Sequence, residues 1–430
     1  MCSSDLYTPE WAATITGIEP ERIRDLAHRY ATQSPSVIVL GGSSMFKHQH
    51  GWEPSRAISC LPALTGQLGI AGAGLGQRHA GSPPGIGYAD VLADVARKMP
   101  GEAVIPSHMP SITEALIGGK LDVLLLFGTN MLSSFADANE LARGLARVGL
   151  IVLYDLFMNE TARRCADLIL PATAWLEDIG LKQTATHIYL MERALTPAGE
   201  CRSLVTLLRQ LAQRLSLANF FPWQDEEDYV NALLSAQKTA SGALLTVAEL
   251  RQRGGYWLKN GLSHIAYQDH DFHTPSHKIE FWSERAQQVG LSPLPSYTAP
   301  EGAEYPLRFC QGRTLTAFHS FFDEGQALPT LAKANTGPQL WIHPQDAQKR
   351  QITSSAPIII ANKRGQFEAR AHVTSDVLPG VVWMRDGWVG VNRVTSGAPI
   401  VSLAANDIVP GIPGGQAAYD AWVEVSVRSV

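Results

Sequence analysis

Three short loops of the sequence contain residues that can bind a nucleotide, and two of these loops contain glycine. Each loop follows an apolar run, and the loops are Gly41–Ser44, Gly128–Asn130 and Asp155–Thr161. Glycine lets a phosphate approach backbone N–H groups closely, an amide both donates and accepts, and a carboxylate accepts from the N–H groups of a guanine edge. One such loop would be an ordinary turn, but three at successive strand ends predict a large nucleotide-like ligand.

Two further segments carry basic residues that suit an anion. The stretch from Thr65 to Tyr88 contains eight glycines, with Arg78 and His79 in its middle. These two side chains could face an anion, or the stretch could be a surface loop. Residues 47–50 (KHQH) follow the first glycine loop, and they either border the same ligand or form an ordinary loop.

Four histidines raise the alternative of a zinc site. His264, His270, His273 and His277 include spacings of three and four, which suit zinc ligands on a helix. Pro275 would interrupt such a helix, and no thiol or carboxylate pattern completes the site. We therefore expect a loop at these histidines and no metal ligands in the chain.

The elements that position the three loops are predicted to form a parallel sheet. The apolar runs are continuous rather than alternating, and they are Ser36–Leu40, Asp122–Phe127, Leu150–Tyr154 and Asp167–Leu170. Continuous runs favour strands covered on both faces, so residues 1–170 are expected to form an α/β doubly wound parallel-sheet domain. Proline start signals predict two helices within residues 8–31.

The second half of the chain changes character. Residues 202–217 have a leucine-rich helical pattern, and residues 171–300 are expected to form an α+β connecting segment. From Leu307 onward, short β-like runs are separated by Gly, Pro and Asn turns, and the runs are LRFC, QLWI, PIIIA, GVVWM and WVEVSV. This pattern predicts a C-terminal β-barrel over residues 301–430.

Composition limits the class of protein and its partners. With 430 residues the chain is longer than one hydrophobic core usually accommodates, so two or three domains are expected. A net charge of −5 gives no long-range attraction for nucleic acid. No apolar run reaches about 18 residues, which argues against membrane insertion. Five scattered cysteines favour reduced thiols, and we expect a cytoplasmic protein.

Six motifs occur in the order found in one known family. Residues 64–76 (LTGQLGIAGAGLG) are similar to LTGN-G-x-x-G-x-G, and residues 154–175 (YDLFMNETARRCADLILPATAW) to D-x-F-x-x-ET…ADxxLPxxxW. The others are residues 125–130 with a strand–GxN element, 272–280 (FHTPSHKIE) with F-x-TPSGKIE, 341–347 (WIHPQDA) with IHPxDA, and 391–395 with VNxLT. The chain thereby resembles the bis-molybdopterin guanine dinucleotide oxidoreductases, which include formate dehydrogenases, nitrate reductases and dimethyl sulfoxide reductase.

The resemblance implies a cofactor and the residues that hold it. The implied cofactor is bis-molybdopterin guanine dinucleotide with molybdenum or tungsten, closed over by a barrel of the double-psi type. The implied cofactor-binding residues are Gly41, Gly42, Ser43, Gly128, Asn130, Asp155 and Thr161 before the barrel, and Arg313, Thr314, His319, Ser320 and Asn392 within it. By the same resemblance Arg313 and the hydroxyls hold pyrophosphate, Asp155 holds a guanine, and His319 and Asn392 hold the pterin edge.

The chain also departs from the family pattern. The family's iron–sulphur cysteines and metal ligand lie on an upstream half, so we expect the C-terminal half only, with no catalytic residue of its own. Residues 351–356 read QITSSA where relatives have a G-I-x-D-G-D turn, which puts the geometry of that turn in question. His187 stands where many relatives have arginine.

The expected function is part of a molybdenum or tungsten oxidoreductase that moves two electrons to or from a small substrate. Residues 384–388 (MRDGW) and 415–419 (GQAAY) favour formate dehydrogenase-like members. One alternative is a truncated or split-gene scaffold, inactive until the missing N-terminal half or an electron-transfer subunit joins it. Another is a relative without molybdenum, like the large iron–sulphur subunit of NADH:quinone reductase, but the intact loops at Asn130, Asp155 and Arg313 argue against it.

Overall fold

The computed structural model forms two compact units. It describes residues 7–40, 47–76, 105, 108–184, 186–235, 237–239, 241–258, 265–299, 304–317, 320, 328–335, 337–401 and 415–428. The first unit comprises Met1–Met45, Gly51–His79 and Leu262–Thr298. The second unit comprises Phe46–His50, Ala80–Gly261 and Ala299–Val430.

The first unit begins with the two helices that the proline signals predicted. They are α1 (Pro9–Thr16) and α2 (Pro20–Thr32). The side chain of Thr8 caps α1 by accepting a hydrogen bond from the backbone N–H of Trp11. The prediction of two helices within residues 8–31 is therefore confirmed.

A two-stranded parallel sheet and a helix complete the start of this unit. Strand β1 (Val37–Val39) pairs with β2 (Gly74–Gly76), and α3 (Trp52–Leu64) lies between them in sequence. Part of the glycine-rich stretch is thus a strand. Gly69 has φ +76°, and a Cβ there would approach the carbonyl oxygen of Tyr267 to 2.6 Å, so this position requires glycine.

The second unit begins with a three-stranded parallel sheet. Its strands are β3 (Val123–Phe127), β4 (Leu150–Asp155) and β5 (Leu168–Pro171), in that order across the sheet. The helices that accompany it are α4 (Met109–Ile117), α5 (Met131–Ser134), α6 (Ala138–Leu145) and α7 (Glu160–Cys165). Parallel pairing and the predicted strand positions are confirmed, while the doubly wound layout over residues 1–170 stays a prediction.

The two faces of this sheet differ in burial. Leu126, Ile151 and Leu153 point to one face and belong to a core that also contains side chains of α4 and α6. Four apolar residues on the other face are exposed, namely Val123 (52%), Leu125 (41%), Leu150 (40%) and Leu168 (49%), whereas Tyr154 on the same face is buried. We call these four side chains the exposed sheet face. Complete coverage of this second face stays a prediction.

Helices and antiparallel strands follow, as predicted for the connecting segment. Strands β6 (Gly180–Gln183), β7 (His187–Met191) and β8 (Tyr256–Leu258) form one antiparallel sheet. Between β7 and β8 in sequence lie α8 (Leu204–Arg214), α9 (Glu226–Leu234) and α10 (Val247–Gln252). Ile188 from the sheet packs in a small core with Leu234 of α9 and Leu250 of α10.

The remainder of the second unit is a closed six-stranded barrel. Its strands are β9 (Leu307–Gly312), β10 (Gln339–Ile342), β11 (Pro357–Asn362), β12 (Gly365–Val373), β13 (Val381–Arg385) and β14 (Ala421–Val427). The order around the barrel is β10-β12-β11-β14-β9-β13. Two short helices, α11 (Pro329–Ala334) and α12 (Pro344–Lys349), precede β10 and follow it. The predicted barrel is confirmed, and its double-psi connectivity stays a prediction.

The turn before β11 contains two residues with left-handed backbone conformation, and neither is glycine. Gln351 has φ 55° and Ser355 has φ 67°, and these are the two positions where relatives have glycine. Ile352 between them is buried, and the N–H of Ser355 donates to the carbonyl of Ala371 at 2.7 Å. The QITSSA sequence therefore forms a defined turn, because the buried side chain of Ile352 and the hydrogen bond of Ser355 hold the backbone in this shape.

Over the residues that the structure describes, no helix combines the length and the apolar character needed to cross a membrane.

Candidate functional site

The loops after β3 and β4 lie side by side at the carboxyl ends of parallel strands. Gly128 has φ +56°, and a Cβ on it would meet nothing within 4 Å, so open space lies above its backbone. Its N–H donates to the carbonyl of Tyr154 on the neighbouring strand at 2.8 Å. Strand ends of this kind are where open α/β sheets bind ligands.

Asn130 and Thr161 join these two loops. The Oδ1 atom of Asn130 accepts from both the N–H (3.3 Å) and the hydroxyl (2.9 Å) of Thr161. The Thr161 hydroxyl oxygen also accepts from the N–H of Leu132 at 3.0 Å. Thr161 is fully buried and Asn130 nearly so. The structure therefore brings these two predicted site residues together, with most of their polar atoms bonded to each other and to the loops.

Asp155 ends β4 and is bound by its own loop. One carboxylate oxygen accepts from the N–H groups of Leu156 (2.7 Å) and Phe157 (3.3 Å), and the other accepts from the side-chain amide of Asn159 (2.9 Å). Burial raises the pKa of Asp155, and these hydrogen bonds work in the opposite direction. A carboxylate has about four acceptor sites, so capacity for a further donor remains.

Asn392, on the barrel, bonds to the helix that follows Asn130. Its Nδ2 atom donates to the carbonyl oxygen of Ser133 at 2.7 Å, and its Oδ1 atom accepts from the hydroxyl of Thr395 at 3.2 Å. Asn392 is 6% exposed. The structure thus joins three of the predicted site residues, Asn130, Thr161 and Asn392, in one network. Their predicted contacts with a cofactor stay predictions.

A second group of polar residues lies at the ends of two barrel strands. Strands β9 and β13 run parallel, with Gly312 paired to Arg385, so Arg313 and Asp386 follow neighbouring strand ends. The N–H of Asp386 donates to the carbonyl of Gly312 at 2.8 Å. Arg385 is buried, and its guanidinium lies 4.1 Å from the ring centroid of Trp388. Parallel pairing therefore places a cation and a carboxylate next to each other.

The segment of Lys47 packs against the same end of the barrel. The Nζ atom of Lys47 lies 5.1 Å from the ring centroid of Tyr419, and the N–H of Tyr419 donates to the Lys47 carbonyl at 2.9 Å. Next to it, Nδ1 of His48 contacts Oδ1 of Asp420 at 2.9 Å. Lys47, Arg313, Asp386 and Tyr419 are named here the Lys47–Arg313 cluster.

Burial and neighbouring charge shift two ionisation equilibria in this cluster. Burial is the main cause that lowers the pKa of Lys47; Asp386 opposes this shift and Arg313 adds to it. Burial, together with the carboxylate of Asp386, raises the pKa of Tyr419 to about 12. Lys47 and Tyr419 thus both interact electrostatically with Arg313 and Asp386.

The other predicted residues fall in three groups. Gly41, Gly42, Ser43 and His319 lie outside the described residues, as do Arg78 and His79. Thr314 is exposed, with its hydroxyl 3.4 Å from that of Thr316, and Ser320 is partly buried. Sequence reasoning noted residues 384–388 and 415–419 only as family signs. It missed the convergence of Asp386 and Tyr419 on Lys47, which depends on strand pairing and left no local signal.

The histidines near residue 270 lie in a loop, except for His264, which is outside the described residues. His277 contacts a carboxylate oxygen of Asp271 at 2.8 Å through Nδ1. In the part of the chain that the structure describes, no three His, Cys, Asp or Glu side chains are grouped so that they could hold a metal ion. The four described cysteines are free thiols of intermediate exposure, and they are Cys60, Cys165, Cys201 and Cys310.

The second unit combines a parallel sheet, whose strands end in polar loops, with a closed six-stranded barrel. Two family descriptions match successive parts of the chain. "Molybdopterin oxidoreductase" matches residues 20–214, and "Molydopterin dinucleotide binding domain" matches residues 307–407. The chain belongs to the molybdopterin oxidoreductase family, and its cofactor class is a molybdopterin.

Individual relatives agree with this assignment. The chain is 29% identical to a probable oxidoreductase, YoaE of Bacillus subtilis, over 97% of this chain and 60% of that protein. It is 27% identical to dimethyl sulfoxide reductase DmsA of Escherichia coli, over 88% of this chain and 52% of that protein. It is 26% identical to the F420-dependent formate dehydrogenase subunit alpha of Methanocaldococcus jannaschii, over 90% of this chain and 58% of that protein. The chain thus spans about half to three fifths of the length of these relatives.

A solved structure shares the fold. Acetylene hydratase from Pelobacter acetylenicus superposes with a TM-score of 0.77 at 21% sequence identity, over 99% of this chain and 65% of that chain. This similarity supports the fold described above.

Proposed function

We propose that this chain holds the guanine dinucleotide ends of a bis-molybdopterin cofactor with molybdenum or tungsten. The proposed enzyme moves two electrons to or from a small substrate. The Lys47–Arg313 cluster is the observation that carries the proposal, because parallel strand pairing and the charge interactions of Lys47 bring a lysine and an arginine to one end of the barrel. A diphosphate can bind a lysine and an arginine at the same time.

The residues of the cluster fit a diphosphate in distinct ways. Arg313 is exposed and presents a planar guanidinium, which binds two phosphate oxygens side by side. Lys47 offers a compact positive charge, and the pKa of Lys47, lowered by burial, would rise again beside an anion. When bound, such a cofactor supplies a metal whose two-electron change carries the reaction.

The loops of the parallel sheet fit the nucleoside end of the same group. The open space above Gly128 admits a ligand close to the backbone. Asp155 keeps acceptor capacity beyond the three hydrogen bonds from its own loop, which suits the two N–H donors of a guanine edge. Asp155 must be ionised for this role, so guanine binding is expected to weaken as the pH falls through its raised pKa.

The exposed sheet face favours association with another polypeptide. Parallel sheets are normally covered on both faces, and four apolar side chains here are 40–52% exposed. We propose that a further polypeptide covers this face and supplies the metal ligand and an iron–sulphur cluster. On this proposal the chain alone turns over no substrate.

Relatives named as formate dehydrogenase and as dimethyl sulfoxide reductase support a small substrate for the complete enzyme. We favour the formate dehydrogenase-like class and propose that the enzyme acts in the cytoplasm.

The proposal is tested by cofactor content. The full chain is produced in a host that synthesises the cofactor, and guanine-containing pterin and metal are measured per chain. Near-stoichiometric pterin is expected, with losses of about tenfold or more for Arg313→Ala and Asp155→Asn. Lys363→Ala is the matched control, because Lys363 is an exposed barrel cation paired with Glu304 at 2.7 Å. Wild-type chain without guanine-containing pterin, under conditions where a related enzyme is loaded, would overturn the proposal.

A further inference from the structure

Ser133 is hydrogen-bonded through its side chain to the helix that follows β4 and through its backbone to the barrel. Its hydroxyl donates to a carboxylate oxygen of Glu160 at 3.1 Å, and its carbonyl accepts from Asn392 at 2.7 Å. Glu160 begins α7, directly before Thr161, whereas Asn392 lies in the turn Val391–Arg393 of the barrel. One residue of α5 therefore connects the loop after β4 to the barrel.

Glu160 is a buried carboxylate with partners on three elements. Its side chain is 5% exposed. It accepts from Ser133 of α5, pairs with Arg164 of its own helix at 2.7 Å, and lies 3.8 Å from a guanidinium nitrogen of Arg393 on the barrel. A buried charge is tolerated only when it is paired and hydrogen-bonded, so removing Glu160 takes the acceptor from the Ser133 hydroxyl and the nearby carboxylate from Arg393.

Three residues that the motifs assigned to the cofactor belong to the same network. Asn130 Oδ1 accepts twice from Thr161, which uses both of its lone pairs. Asn392 uses its amide on Ser133 and on Thr395. We name the set Asn130, Ser133, Glu160, Thr161, Asn392 and Arg393 the sheet–barrel network.

We propose that Glu160 is a positioning residue that fixes the barrel turn Val391–Arg393 against the loops at the carboxyl end of the parallel sheet. On this view Asn130, Thr161 and Asn392 set the spacing between the two parts of the second unit. Direct contact with a ligand is left to Gly128 and Asp155 on the sheet side and to the Lys47–Arg313 cluster on the barrel. The consequence for cofactor retention rests on the proposed function, but the contacts themselves do not.

The test combines a local and a functional measurement on the full chain. Native-state hydrogen exchange is followed in Glu160→Ala, Arg393→Ala and the double variant. In Glu160→Ala the amides of Leu132 and Thr161 are expected to exchange about tenfold faster, while barrel-core amides such as Val382 keep their rate. The double variant should add little to Glu160→Ala, because both changes remove one shared interaction. Pterin should dissociate about tenfold faster from the loaded variant.

Two further variants separate positioning from a general loss of stability. Glu226 is a matched control, because it also accepts from hydroxyls, of Ser203 and Thr206, and pairs with an arginine, Arg193, at 3.8 Å. Glu226→Gln is expected to leave exchange at Leu132 and pterin retention unchanged. Glu160→Gln keeps an acceptor for Ser133 and should recover part of the protection lost in Glu160→Ala.

Two results would overturn the proposal. One is exchange that rises equally at Leu132 and in the barrel core of Glu160→Ala, which would mean loss of global stability only. The other is unchanged exchange at Leu132 and Thr161. If the wild-type chain carries no pterin, the proposed function fails, and hydrogen exchange alone then decides whether the network fixes the barrel.

Discussion

The ammonium of Lys47 lies 5.1 Å from the ring centroid of Tyr419, and the backbone of Tyr419 donates to the Lys47 carbonyl at 2.9 Å. The two residues are far apart in sequence, and both interact electrostatically with Asp386 and Arg313. This contact fixes one wall of the Lys47–Arg313 cluster. It also couples the stability of the folded chain to the charge that the cluster carries.

Replacement of Lys47 should stabilise the fold and weaken anion binding. Since burial lowers the pKa of Lys47, its proton is bound more weakly in the folded chain than in the unfolded chain, and the protonated form opposes folding at neutral pH. Lys47→Met is expected to raise the free energy of unfolding by about 0.5–1 kcal/mol at pH 7 and to reduce pterin content. Urea unfolding and pterin assay measure the two effects. The exposed Lys363→Met should change neither appreciably.

Tyr419 predicts a loss of stability at high pH. Its pKa lies at about 12 in the folded chain and near the ordinary value of 10.0 in the unfolded chain. The folded chain therefore keeps the phenolic proton in a range where the unfolded chain loses it, so the Tyr419 contribution to stability is complete below pH 10 and is lost between pH 10 and 12. In Tyr419→Phe this part of the decline should disappear from urea titrations. Identical slopes in the two proteins over that range would contradict the assignment.

Glycine should stabilise the turn that opens the barrel. A left-handed conformation disfavours a non-glycine residue by roughly 1–2 kcal/mol, against roughly 0.5–1 kcal/mol for the extra freedom of glycine in the unfolded chain. Gln351→Gly and Ser355→Gly are each expected to gain about 0.5–1 kcal/mol in urea unfolding. Thr353→Gly, in the same turn but without positive φ, should lose stability. A loss at all three positions would show that the side chains of Gln351 and Ser355 contribute more than their backbone strain.

Leu125 and Leu126 are neighbours that face opposite sides of the parallel sheet. Leu126 is 6% exposed in the core, whereas Leu125 is 41% exposed. Leu126→Ala is expected to cost about 2–5 kcal/mol of folding stability. Leu125→Lys should leave stability almost unchanged but reduce self-association in sedimentation velocity and the binding of a hydrophobic dye. Unchanged dye binding would show that the exposed sheet face is covered in solution.

The barrel shows where sequence reasoning succeeds and where it fails. Five of its strands were evident as short apolar runs between turns, but β12 (GQFEARAHV) was missed. Its inward residues Phe367, Ala369 and Ala371 alternate with Gln, Glu, Arg and His, so its average character is polar. A strand with one solvent-exposed face can be predicted only from the alternation of apolar and polar residues. That alternation is weak in β12, because two of the three inward residues are alanines.

The candidate site was predictable only where chemistry is local. Asp155 was predicted from a loop at a strand end, and Arg313 was predicted from the family resemblance. The approach of Lys47 to Tyr419 depends on how β14 and β9 pair in the barrel, and no spacing in the sequence encodes that distance. Asn130 and Thr161 were singled out as polar residues of strand-end loops and Asn392 by family resemblance, and their contacts with a cofactor stay predictions. Their hydrogen bonds to one another could be known only from the fold.

The left-handed residues Gln351 and Ser355 have a consequence for how such chains are recognised. The buried Ile352 and the hydrogen bond from Ser355 to Ala371 specify the path of the backbone, so residues other than glycine are accommodated at these two positions. A search that demands glycine there would pass over members whose barrel is intact. In this turn the backbone torsion angles, rather than the presence of glycine, are the feature to compare between structures.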